Sequence, residues 1–201
     1  VPLGSLELSF GGRRPPWWLW AGLGGAAALA VAARALDKGT TVGPSTMPSA
    51  SSRDFATLHP QFQPIALDWS ARMARAGLDH VITFTYRTLA DQARLKREKK
   101  SKVDFGYHNA GLAFDFTVKV DGRAVNTDTA PRDLLVHWAE RMRQAGVIGE
   151  NLGMVWGGRW TPLNAVTGLG WDPFHLEWHP GLTIAQTRLK LEAEGWGFRV
   201  V

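Results

Sequence analysis

The sequence predicts an α+β fold with a small antiparallel sheet, and three observations carry that reading. Segments with helical spacing of apolar residues are mixed with short alternating segments rich in β-branched and aromatic residues. Asp121-Gly122 is a strong signal for an antiparallel hairpin. The helices and strands do not follow the regular βαβ alternation that a parallel sheet requires. The 201 residues fit one globular domain with additions, and no internal repeat is visible.

Taken in order, Pro64 to Ala76 reads as a helix whose buried face carries Ile65, Trp69 and Met73, with Gly77 as its stop. His80 to Tyr86 alternates and reads as a strand. Arg87 stands at its end. Thr88 then caps a helix from Leu89 to about Lys99, with Asp91 in the place of a capping-box Glu. Leu112 to Val120 is a strand, with Ala113, Asp115 and Thr117 on one face and Phe114, Phe116 and Val118 on the other. The Asp121-Gly122 turn leads back into Arg123-Ala124-Val125. Pro131 opens a helix whose inner face is Leu134, Leu135, Trp138 and Met142, expected to end at Ala145 before Gly146. Met154-Val155-Trp156 and Phe174 to Trp178 are short strands around a Gly-rich loop from Gly157 to Gly170. Thr183 to Glu194 is the last helix, closed by Gly195.

The N-terminal third has a different character. Pro15 to Ala33 holds no charge, follows Arg13-Arg14, and carries a Trp cluster at its start. Residues 1–36 are therefore expected to form an N-terminal segment with a signal anchor at about 17–33. A helix over that stretch would span about 25 Å, short but usable against a hydrocarbon core of about 30 Å. Arg13 and Arg14 favour a cytoplasmic N-terminus and an exported domain. A cleaved signal peptide, with small-residue sites such as Ala30-Val31-Ala32, and a buried soluble helix are the competing readings. Residues 37–54, rich in Ser, Thr, Gly and Pro, read as a flexible linker to a domain over 55–201. The expected location is the outer side of the bacterial cytoplasmic membrane, or the periplasm or exterior after cleavage or release.

The sequence holds no cysteine, which excludes disulfides and thiolate-ligated metals. The net charge of +5 suggests an anionic partner, either nucleic acid or the bacterial wall or membrane. The basic run Arg94 to Lys102 reads most simply as a solvated helix end, and no nucleic-acid recognition motif accompanies it. The expected assembly is a monomer.

Candidate chemistry gathers at two places. His108 lies seven residues before Asp115, and Asp172 lies three before His175. A carboxylate within Phe114-Asp115-Phe116 is costly unless that face meets solvent, or the group is paired or ligates a metal. Two His and one Asp are a usual ligand set for catalytic zinc, with a fourth position left to water. The spare carboxylate at 172 suits the base that takes that water's proton. His179 is the runner-up ligand, while His59, His80 and His137 read as structural.

Tyr107-His108-Asn109-Ala110-Gly111-Leu112-Ala113-Phe114-Asp115-Phe116 resembles the first zinc motif of the D-alanyl-D-alanine carboxypeptidase and L-alanyl-D-glutamate peptidase family. Trp156-Gly157-Gly158-Arg159-Trp160 and Asp172-Pro173-Phe174-His175-Leu176-Glu177 resemble its second half, in the branch with Asp before the last His. Thr85-Tyr86-Arg87-Thr88 with Gln92 and Leu95 resembles its upstream segment. The resemblance implies a hedgehog/D,D-peptidase-like fold around a zinc site, Zn2+ as cofactor, and peptidoglycan stem peptides as substrate. It implies His108, Asp115 and His175 as ligands, Asp172 as general base and Arg87 as the oxyanion-stabilising cation. Gln92, Tyr107, Trp156 and Glu177 are candidates for substrate contacts or support behind the ligands, and Glu177 is also a rival base. The Asp-x-x-His form favours cleavage between L-Ala and D-Glu over D,D-carboxypeptidase action. A non-catalytic wall-binding module of the same fold is the alternative, and retention of Asp172 and Arg87 argues against it. Two departures stand out. Gly106 replaces the family's usual Ser, and the interval from Trp160 to Asp172 is longer than usual, adding a loop at Thr161–Gly170.

Overall fold

A computed structural model describes residues 47–201. The expected anchor at 17–33 and most of the expected linker lie outside the described residues. Among the described residues, no helix is long and apolar enough to cross a membrane. Among the described residues, four α-helices surround a small antiparallel sheet: α1 (Gln63–Arg75), β1 (His80–Phe84), α2 (Leu89–Arg97), β2 (Ala113–Val120), β3 (Arg123–Ala124), α3 (Arg132–Glu150), β4 (Val155–Trp156), β5 (His175–Glu177) and α4 (Ile184–Glu194). The sheet order is β1-β2-β5-β4, with β3 folded back on β2 through the Asp121-Gly122 turn.

β2 is the centre of the sheet and is covered on both faces. Phe114, Phe116 and Val118 are fully buried on one side. On the other, Ala113 and Thr117 are buried as well, and Trp138 of α3 donates its indole N–H to Thr117 Oγ1 at 3.1 Å. The face carrying Asp115 is therefore largely enclosed, and the open-face alternative does not hold. Trp69 of α1 joins three elements. Its ring lies 5.0 and 4.8 Å from Phe114 and Phe116, and its indole N–H donates to Ala145 O of α3 at 3.1 Å. Burying such a side chain contributes about 1.5–3 kcal/mol, and the indole hydrogen bond removes the cost of hiding its polar end.

Two boundaries differ from the sequence expectation for non-local reasons. α3 does not stop at Ala145 but runs through Gly146 to Glu150. Gly146 is a contact point rather than a terminator: a Cβ there would lie 2.1 Å from the Trp156 ring of β4. Gly146→Ala is expected to destabilise the domain by about 1–3 kcal/mol through overpacking, read as a lowered midpoint in urea or thermal unfolding, with an unchanged helix signal at low temperature. The second difference concerns the linker. Ser52 N–H donates to Tyr86 O at 3.0 Å, and Thr85 N–H donates to Ser52 O at 2.8 Å, so the domain's hydrogen bonding begins before Phe55. Ser51 also completes the cap of α2. Thr88 Oγ1 accepts from Asp91 N–H as expected, but Thr88 N–H goes to Ser51 Oγ rather than to Asp91, and Ser51 in turn donates to the Asp91 carboxylate.

The register of the sheet assembles the site. Asp115 stands opposite His175 across the β2–β5 pair, and opposite Phe84 across the β1–β2 pair after an irregularity between Ile82 and Phe84. Side chains opposite one another in a ladder share a face. His175 therefore comes to Asp115 from one side, while the exit of β1, leading to Thr85 and Arg87, comes from the other.

Candidate metal centre

His108 enters from a 3-10 turn, Tyr107–Ala110, that precedes β2. Gly111 ends that turn with φ +64° in the left-handed region. A Cβ at Gly111 would also lie 2.5 Å from the Trp196 ring and 2.7 Å from the His59 nitrogen, so both conformation and space call for glycine. His108 Nδ1 donates to Thr85 O at 2.6 Å, which leaves Nε2 as the free acceptor. That Nε2 lies 3.1 Å from Asp115 Oδ1, and His175 Nδ1 lies 3.0 Å from the same oxygen. One donor atom from each of the three residues falls within 4.8 Å of the others, a cluster that can hold a metal ion.

The surroundings of His175 separate Glu177 from the open side of the cluster. Its outer nitrogen, Nε2, meets Glu177 Oε2 at 3.0 Å, and the other Glu177 oxygen meets His179 Nε2 at 3.2 Å. This is the carboxylate–imidazole pairing that orients a ligating histidine. His179 is turned away from the cluster. It stacks on Tyr107, with rings 4.3 Å apart and 5° from parallel, and Tyr107 donates its hydroxyl to Leu182 O at 2.7 Å. Burial, with the nearby Glu177 charge, raises the Tyr107 hydroxyl to about 12, so it stays a donor.

Arg87 is fixed beside the cluster. Its guanidinium donates to Gln92 Oε1 at 3.0 Å, lies 4.7 Å over the Phe84 ring, and stands 4.0 Å from Asp115 Oδ2. Gln92, only 1% exposed, is held in turn by Ser101 Oγ at 2.8 Å and Val103 O at 2.7 Å. Asn109 closes the arrangement: its amide donates to Arg87 O at 2.8 Å and its carbonyl accepts from Gly106 N–H at 2.8 Å. Sequence reasoning gave Asn109 no role of its own, because its amide partner, Arg87 O, lies 22 residues earlier in the chain. Gln92, Tyr107 and Trp156, read as substrate contacts or support, all direct their polar atoms at protein partners. Trp156 is buried and donates to Pro173 O at 2.8 Å, anchoring the segment that carries Asp172 and His175.

Charges in this enclosure perturb one another. Burial pushes the Asp115 carboxyl up, but the two imidazoles overcome it and hold the group well below the usual carboxylate range. Burial opposes a charge on His175, yet the Asp115 and Glu177 carboxylates outweigh it and raise the imidazole to about 10. Burial lowers the Arg87 pKa against the pull of Asp115, Asp172 and Asp91, though an arginine remains charged there. Asp172 shows the opposite balance to Asp115. Burial raises its pKa, and the neighbouring Asp115 adds to this, against His175, His108 and Arg87. Among the described residues no hydrogen bond reaches its carboxylate, so it is free to exchange a proton.

Residues 99–178 match the family model described as D-alanyl-D-alanine carboxypeptidase, a segment that holds His108, Asp115, Asp172 and His175. Over that segment the chain is similar to this peptidase family. The pairing of two imidazoles with one carboxylate in the cluster is a donor set that suits zinc. Similar solved structures include the Serratia marcescens L-Ala D-Glu endopeptidase ChiX, at 19% identity over 69% of this chain and 93% of that one, TM-score 0.42. VanYB in complex with D-alanine-D-alanine is similar at 16% identity over 76% and 87%, TM-score 0.42. The LdcB LD-carboxypeptidase is similar at 15% identity over 75% and 72%, TM-score 0.38. No curated protein matches the chain.

Proposed function

We propose that this chain is a zinc peptidase that hydrolyses peptidoglycan stem peptides and that its scissile bond is the one between L-Ala and D-Glu. The observation that carries the reading is the convergence of the His108, Asp115 and His175 donor atoms beside a proton-accepting Asp172 and a fixed Arg87. His108 Nε2, Asp115 and His175 Nδ1 would hold the metal. When bound, zinc would supply Lewis acidity to the scissile carbonyl and lower the pKa of the attacking water. Asp172 takes the proton from that water and passes it to the leaving amine. Arg87 faces the negative charge that develops on the carbonyl oxygen. Glu177 keeps the His175 imidazole aimed at the metal and takes no proton from water, because both its oxygens are engaged by histidines. The Asp172-x-x-His175 form supports L-Ala–D-Glu as the bond cut. An exported enzyme anchored through residues 17–33 would meet this substrate on the outer side of the membrane.

The test is digestion of purified peptidoglycan by the full chain, with and without zinc, and mass spectrometry of the fragments. New D-Glu N-termini with L-Ala left on the glycan support the reading. Release of free D-Ala would instead make it a carboxypeptidase, and no fragments at all would leave a wall-binding module. Arg87→Ala is expected to lower kcat by about 10²–10³ with little change in bound zinc. Gln92→Ala is expected to show a smaller loss of the same kind, since it frees Arg87 without removing it; steady-state kinetics with metal analysis checks both.

A further inference from the structure

The added loop at Thr161–Gly170 begins and ends at a tryptophan, and the structure brings the two together. Trp171 N–H donates to Trp160 O at 3.2 Å, and Gly170 N–H donates to Gly158 O at 2.7 Å, so the two ends of the loop are strapped side by side. Inside the loop, Asn164 Oδ1 accepts from Val166 and Thr167 N–H groups at 2.9 and 3.0 Å, and Asn164 N–H donates to Leu169 O at 2.7 Å. Leu169 is buried as a plug, and the Arg143 guanidinium of α3 donates to Thr167 O. The Trp160 and Trp171 rings consequently lie 5.0 Å apart, and Trp160 lies 5.4 Å from the His175 ring. Trp171 is 61% exposed, directly before Asp172 in the chain. Large apolar side chains are normally withdrawn from water, and this one is held out at the edge of the site by a fixed loop.

We infer that Trp160 and Trp171 form a shelf that binds the sugar to which the stem peptide is attached. The inference rests on the reading of the enzyme as a stem-peptide peptidase. A pyranose ring presents a face of C–H groups that packs flat on an aromatic ring, whose face carries partial negative charge. The reach also fits. Trp160 lies 5.4 Å from the His175 ring and Trp171 lies 5.0 Å from Trp160, so the shelf lies within about 10 Å of His175, about three residues of extended chain at roughly 3.3–3.6 Å each. The amino-sugar is joined to L-Ala through a lactyl ether, so it stands about two residue lengths, roughly 7 Å, from the L-Ala–D-Glu bond. It stands about five, roughly 17–18 Å, from a D-Ala–D-Ala bond. A sugar on this shelf is therefore within reach of the first bond and beyond reach of the second.

The test uses the full chain loaded with zinc and two substrates, a disaccharide-bearing muropeptide and the same stem peptide without sugar. Wild type is expected to show the lower KM for the sugar-bearing form. Trp171→Ala should raise that KM up to about tenfold with kcat unchanged, leave the sugar-free peptide unaffected, and be largely rescued by Trp171→Phe. In parallel, the peptide-free disaccharide is titrated against the protein by NMR, following the Trp171 indole signal assigned by its loss in Trp171→Phe. Equal effects on both substrates would mean that Trp171 meets peptide rather than sugar. That outcome, no effect on either substrate, or an unmoved indole signal overturns the inference. If wild type cleaves neither substrate, the proposed function fails, and the disaccharide titration still decides the shelf by itself.

Discussion

His175→Ala is expected to remove zinc and peptidase activity together, whereas His179→Ala leaves one zinc per chain. The two histidines are four residues apart and share a neighbour in Glu177, and the sequence reading put His175 first with His179 as the runner-up. The register gives the two different places. His175 sits opposite Asp115 and points its Nδ1 at the shared oxygen, while His179 stacks on Tyr107 outside the cluster. Losing His175 takes one of three donors and leaves Asp115 and Glu177 as buried carboxylates without their shared partner, which adds a stability loss. His108→Ala and Asp115→Ala should lose the metal too. Glu177→Gln should weaken zinc binding by about 10–100-fold rather than abolish it, because it loosens a ligand without deleting one. Metal analysis after gel filtration, with circular dichroism to confirm folding, separates these outcomes. Metal retained in His175→Ala and lost in His179→Ala would reverse the assignment.

Asp172→Asn is expected to keep zinc and lower kcat by about 10²–10⁴, the usual worth of a positioned proton acceptor. The carboxylate donates nothing to the ligand set, and the amide is nearly the same size, so folding should be unchanged. Its pH dependence follows from the same geometry. Burial raises the Asp172 pKa, so at a given acid pH more of it is protonated than of an ordinary carboxylate. A protonated Asp172 accepts no proton, so activity should fall as pH drops through that raised pKa, and the acid limb of the kcat profile should lie at higher pH than an unperturbed aspartate would give. In Asp172→Asn that limb should vanish from the residual activity. Full turnover in Asp172→Asn with an inactive Glu177→Gln would exchange the two roles.

The parts of this protein that could be read from the sequence are those where chemistry and local period coincide. Asp115 in an apolar strand is an anomaly by itself, and with His108 seven residues earlier and His175 in a second motif the metal cluster follows. The alternation of β2, the Asp121-Gly122 hairpin and the Gly195 stop of α4 were likewise legible, since each depends on neighbours within a few residues. What escaped depends on distant partners. Gly146 looks like a helix terminator until the Trp156 ring is packed against it. Ser51 and Ser52 look like linker until they meet Thr88 and the backbone around Tyr86. Glu177 was open between base and support, because nothing in its spacing shows that both oxygens are engaged by histidines. The pairing of Trp160 with Trp171 depends on how the loop between them closes.

The most direct measurement is an anomalous difference map at the zinc edge from crystals of the zinc-loaded protein. One peak is expected per chain, about 2.0–2.2 Å from His108 Nε2, His175 Nδ1 and an oxygen of Asp115, with Glu177 behind His175 and Asp172 facing the open position. A peak between Glu177 and His179, or one bound through His175 Nε2, would contradict the account.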